Sequence, residues 1–83
     1  MLTFSDRAII ALEKSQEVTK SKLVAILERL ESGGSFSSDI HRPMLSKKDI
    51  WVIYVDDRTR LLYSKTDGKI IVIDILDRSE YTA

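Results

Sequence analysis

The hydrophobic period of this chain changes once, and that change divides it into two kinds of structure. Through residues 5–31 the apolar side chains recur at helical spacing. From Ile50 to Leu76 they come in short runs rich in β-branched and aromatic residues. A single stretch, residues 33–48, separates the two, with Gly33-Gly34 at its start and Pro43 near its end. Helices followed by strands, rather than alternating with them, predict an α+β domain.

The first half reads as a helical hairpin. Ser5 is placed to cap a helix from Asp6 to about Ser15, with Phe4 positioned to staple onto Ile9, and with Ala8, Ile9 and Leu12 at helical spacing. Thr19 is the expected cap of a second helix, flanked by Val18 and Leu23. Leu23, Ile26, Leu27 and Leu30 form an i, i+3, i+4, i+7 stripe with Glu28, Arg29 and Glu31 off it. Gly33-Gly34 stops this helix. Residues 33–48 are expected to be a loop.

In the second half, Ile50-Trp51-Val52-Ile53-Tyr54-Val55 reads as a strand and Asp56-Asp57-Arg58 as a turn. Arg60-Leu61-Leu62-Tyr63 resumes as a strand, Asp67-Gly68 turns again, and Ile70 to Leu76 is the last strand. Leu2-Thr3-Phe4 is a candidate edge strand. The expected architecture is a helical hairpin packed on a small antiparallel β-sheet, in the order (β)ααβββ, as a single domain over residues 1–83.

Register follows from turn length. A two-residue Asp67-Gly68 turn sets Arg60 opposite Ile75. A three-residue turn, Thr66-Asp67-Gly68, sets Arg60 opposite Asp74 and Leu61 opposite Ile73. The second is preferred because it gathers Leu61, Tyr63, Ile71, Ile73 and Ile75 on one face, which a tight Asp57-Arg58 turn extends with Val52 and Tyr54. Trp51, Ile53, Leu62 and Val72 then lie on the other face. One helical hairpin covers one face, so these four are expected to line a groove filled by a second copy, as a homodimer, or by a segment of a partner.

Composition narrows the function. The chain has no Cys and one His, which excludes a disulfide framework, a Cys nucleophile and a structural zinc site. No apolar run approaches the roughly 20 residues of a membrane helix, and no basic-then-apolar leader is visible, so the expected compartment is the cytoplasm. Thirteen basic residues balance thirteen acidic ones. That argues against nonspecific coating of nucleic acid. Charge is nevertheless clustered: Arg42, Lys47 and Lys48 fall in residues 42–48 with no acid among them. Such a run is either a solvated loop or a patch able to hold one phosphate or one strand.

The order of these pieces carries a resemblance. A helical hairpin, a strand, Arg60-Leu61-Leu62-Tyr63, an Asp-Gly turn, then Ile71-Val72-Ile73-Asp74-Ile75 and Asp77-Arg78-Ser79-Glu80-Tyr81, resembles the RelE/ParE toxin superfamily over essentially the whole chain. The resemblance implies a type II toxin–antitoxin toxin that needs no metal or cofactor and is neutralised by a cognate antitoxin. RelE-like members cut messenger RNA on the ribosome, whereas ParE-like members inhibit DNA gyrase without cutting RNA. RNA cleavage without a metal needs a group to deprotonate the 2′-hydroxyl, a proton donor for the leaving oxygen and cations for the phosphorane. Carried over by resemblance, Arg60 and Arg78 would hold the scissile phosphate, and Tyr81 would stack a base or transfer a proton. Lys47 and Lys48 lie where the family places lysines before the second strand.

Each of these residues also has a plainer reading. Arg60 is equally a cross-strand partner for Asp74. Asp74 is a structural pair or a catalytic acid, His41 an incidental loop residue or a general base, and Trp51 core or a stacking platform. The competing functions are a ribonuclease toxin, a non-enzymatic gyrase inhibitor and an interaction module without toxicity.

Overall fold

A computed structural model describes residues 2–44, 47 and 49–77 of the chain. The elements are β1 (Leu2–Phe4), α1 (Asp6–Lys14), α2 (Glu17–Glu31), β2 (His41–Pro43), β3 (Ile50–Tyr54), β4 (Thr59–Thr66) and β5 (Lys69–Asp77). They form an α+β fold in which two helices pack on one five-stranded sheet of order β1-β5-β4-β3-β2. β1 runs parallel to β5 and every other pair is antiparallel, so the sheet is mixed rather than wholly antiparallel.

The ends of the helices follow local chemistry. Ser5 caps α1, its hydroxyl accepting from the Ala8 amide at 3.1 Å. Only Ser15 and Gln16 separate the helices. α2 begins at Glu17, two residues before the expected Thr19 cap. Its N-cap, Gln16, makes no side-chain bond, and Val18 is 69% exposed rather than stapled to Leu23. At the other end the Gly33 amide donates to the Leu30 carbonyl and the Gly34 amide to that of Arg29, with Gly33 at φ +79°. This paired closure needs a left-handed residue, which glycine supplies without strain.

β2 forms inside the segment expected to be a loop. Residues 41–43 pair with 51–53, extended by Tyr54 donating to the Ile40 carbonyl and Met44 to that of Ile50, each at 2.8 Å. Pro43 is compatible with this strand because β2 is the sheet edge, where a missing N–H costs no ladder bond.

Both hairpin loops differ in length from the expected ones. Residues 56–58 form a three-residue loop closed by the Val55 amide on the Thr59 carbonyl, and the Asp56 carboxylate accepts from the Arg58 and Thr59 amides. Asp67 (φ +51°) and Gly68 (φ +78°) form a two-residue turn, with Thr66 opposite Lys69. Two consecutive left-handed residues match the twist of a hairpin. The register then slips once. Tyr63 pairs with Val72 but Leu62 with Asp74, leaving Ile73 as the extra residue of a bulge. The carbonyl of Ile73 is taken by the Ser5 hydroxyl, and that of Val72 by the Ser5 amide at 2.9 Å. One residue therefore caps α1 and secures the bulge.

These changes redistribute the side chains. Leu61, Tyr63 and Ile75 stay together, but they are joined by Ile53 and Val72, not by Ile71 and Ile73. With Ile70 they pack against Ala8, Leu23, Leu27 and Leu30 of the helices. Trp51 is partly buried against the same core. Of the four residues expected to line an open groove, Ile53 and Val72 are fully buried, and Leu62, which alone lies on the face away from the helices beside Val52, is buried as well. The groove argument for a homodimer fails with that register. The three-residue 56–58 loop turns Ile53 to the core face, the two-residue Asp67-Gly68 turn does the same for Val72, and the bulge at Ile73 then keeps Ile75 on that face as well.

Candidate functional site

Residues directly opposite one another on neighbouring strands project to the same side of a sheet. Arg42 is opposite Val52, Val52 opposite Leu62, and Tyr54 opposite Arg60. These five share the face turned away from the helical core. His41, paired with Ile53, and Trp51, paired with Tyr63, belong to the other face.

On the open face two arginines meet one ring. The Arg60 Cζ lies over Tyr54 at 4.9 Å from the ring centroid, and the Arg42 Cζ at 5.9 Å. Both distances lie within the range of a cation–π contact. Arg60 does not face Asp74. It is opposite Leu76, while Asp74 reaches α1, where its Oδ2 is 3.3 Å from Arg7. The expected Arg60–Asp74 pair is thus replaced by Arg7–Asp74, one residue of the shift coming from the two-residue Asp67-Gly68 turn and one from the bulge. A shallow pocket adjoins Arg60, bounded by Ile40, Tyr54, Val55, Asp56 and Asp57. The Arg58 amide bond holds the Asp56 carboxyl below the usual range, and Lys22 of α2 lies 3.8 Å away.

The core side of the same strands holds an aromatic cluster. The Nε2 of His41 is 2.6 Å from the Tyr63 hydroxyl, and its ring centroid is 4.7 Å from Trp51 and 5.6 Å from Phe36. Burial lowers the His41 pKa and raises that of Tyr63. His41 therefore sits on the far side of the sheet from Arg60, packed among aromatic rings. It is a structural histidine, not a base in that site. Trp51 takes the core reading for the same reason.

Among the other residues expected to act with Arg60, Lys47 is exposed just beyond Met44. Lys48, Arg78 and Tyr81 lie outside the described residues. β5 ends at Asp77, opposite Thr59 and so next to Arg60. Arg42 was legible only as one of a basic run. Its place beside Tyr54 depends on β2, whose single sequence signal is the extended Arg42-Pro43 dipeptide. Among the described residues no group of three or more His, Asp or Glu side chains could hold a metal ion, and no helix is long and apolar enough to cross a membrane.

Two helices on a five-stranded mixed sheet define the fold class of the molecule, and an arginine–tyrosine cluster lies on the face turned away from the helices. Solved structures of RelE-like toxins share this fold. The E. coli DinJ–YafQ toxin–antitoxin complex matches over 100% of this chain and 97% of that chain, with a TM-score of 0.81 at 16% identity. The intact E. coli RelBE toxin–antitoxin complex matches over 93% and 94% at 0.76 and 19% identity. The Staphylococcus aureus YoeB–YefM complex matches over 92% and 93% at 0.74 and 15% identity. No family model matches the sequence, and no curated protein does. Backbone similarity with little shared sequence carries the likeness, and it bears out the RelE-like architecture read from motif order.

Proposed function

We propose that this chain is the toxin of a type II toxin–antitoxin pair and cleaves messenger RNA on the ribosome without a metal. The observation that carries the reading is the pair of arginines, Arg42 and Arg60, over one tyrosine on the face the helices leave uncovered. Guanidinium groups suit a phosphodiester because their planar forks match its oxygens and their charge persists at any physiological pH. Arg60 binds the scissile phosphate. Arg78 and Tyr81, which follow the end of β5 in sequence, and Lys47 and Lys48, between β2 and β3, supply the remaining charge and the proton transfers. Zero net charge fits a protein recruited to RNA at one site rather than along its length.

The solved structures above are toxin–antitoxin complexes, which supports a cognate antitoxin as partner. A segment covering the arginine face would block RNA. The test is messenger RNA on programmed ribosomes, incubated with the protein in the presence of a chelator, with fragment ends mapped. Discrete cleavage that is abolished in Arg60→Ala is expected. Intact transcripts with a folded protein would overturn the reading, and growth arrest with DNA-damage signalling would then select gyrase inhibition.

A further inference from the structure

We infer that Tyr54 is a positioning residue whose ring is a shelf, holding the Arg42 and Arg60 guanidinium groups together as a cradle for one phosphodiester of single-stranded RNA. The inference rests on the ribonuclease reading and adds to it a residue and a second arginine. An arginine on an open strand has many rotamers, and fixing it on an anion costs much of that freedom. An aromatic face restrains the flat side of a guanidinium while its N–H edge stays free to donate in the guanidinium plane. Here β4 delivers Arg60 directly opposite Tyr54, and β2 delivers Arg42 diagonally, two positions along from Ile40, whose carbonyl accepts from the Tyr54 amide.

Two like charges drawn to one ring repel each other. The negative face of the ring offsets part of that repulsion, and an anion bridging both groups removes more of it. A phosphodiester has two non-bridging oxygens, one for each fork. A bridging anion therefore tightens an arrangement that the ring already draws together. The Tyr54 hydroxyl has no part in this scheme, which separates the shelf from a proton-transfer role.

The experiment measures binding of a short 2′-O-methyl RNA, which resists cleavage, by fluorescence anisotropy with the full chain. Inorganic phosphate serves as competitor. Wild type is expected to bind the RNA, with free phosphate competing weakly. Tyr54→Phe should stay within about twofold of wild type, and Tyr54→Leu should bind roughly fivefold to tenfold more weakly, as loss of two part-exposed cation–π contacts implies. Arg42→Ala and Arg60→Ala should be non-additive, the double variant losing little more than the worse single, because each alone opens the cradle. That comparison needs no Tyr54 variant and decides the matter if Tyr54→Leu melts early. Binding by Tyr54→Leu equal to wild type, equal losses in the Phe and Leu variants, or additive arginine losses would overturn the shelf while leaving RNA binding in place. Failure of folded wild type to bind the RNA at all would overturn both the shelf and the functional reading beneath it.

Discussion

The imidazole of His41 and the phenol of Tyr63 meet at 2.6 Å across two strands, with the rings stacked at an interplanar angle of 13°. The bond joins edge strand β2 to central strand β4 on the core side of β3. Neither residue neighbours Arg60, so the pair stabilises the sheet beneath the arginine face and takes no part in its chemistry.

Acid should loosen this pair. The unfolded chain takes up a proton on His41 near about pH 6.5, whereas burial lowers the folded value. Between the two, the unfolded state holds the proton and the folded state does not. Stability is therefore full above about pH 6.5 and falls as pH drops toward the folded value. Thermal melts from about pH 8 to 5 should show a declining midpoint that is flattened in His41→Gln. Trp51 emission, with the His41 ring 4.7 Å away, should report the same titration. An identical decline in His41→Gln would assign the effect elsewhere. Tyr63, raised by burial, keeps its proton longer in the folded state, so stability should fall again above about pH 10.

Ser5→Ala should cost more than an ordinary helix cap. Loss of a cap costs about 1 kcal/mol, and stranding the Ile73 carbonyl adds about 1–3 kcal/mol. Urea unfolding should register a loss of about 2 kcal/mol or more. A loss below about 1 kcal/mol would show that the bulge holds without Ser5.

Gly68→Ala should destabilise by about 1–2 kcal/mol, because Gly68 sits at φ +78° and a Cβ there strains the backbone while meeting no neighbour. The cost is conformational rather than steric. An unchanged midpoint in a thermal melt would mean that the turn had rearranged to a longer loop.

Asp74 should couple to Arg7 and not to Arg60. A double-mutant cycle of Asp74→Asn with Arg7→Ala should give a few tenths of a kcal/mol at most, since the Arg7 side chain is 81% exposed and solvent screens the pair. The cycle of Asp74→Asn with Arg60→Ala should give none. Coupling to Arg60 would restore the register of a three-residue Thr66-Asp67-Gly68 turn.

Elements whose causes lie within a few residues were decided by the sequence itself. The Ser5 cap, the Leu23, Leu27 and Leu30 stripe, the Gly33-Gly34 stop, the place though not the length of the turn at Asp67-Gly68, and the order of strands β3 to β5 all rest on side chains acting on their own backbone or the next helical turn. Motif order sufficed for the RelE-like fold for the same reason. Tertiary structure alone decided which face each strand residue takes. In a sheet that choice is a parity, and one added residue inverts it. The bulge at Ile73 gains nothing locally. It is held by Ser5, from an element 68 positions away, and by burial of both Val72 and Ile75 under the helices. Strand β2 likewise exists because β3 offers an edge, and it is β2 that brings Arg42 to Tyr54. Arg60 was legible as a cation on a strand, but its partner was not, because contacts made across a sheet depend on register, and register is settled only when the whole core packs.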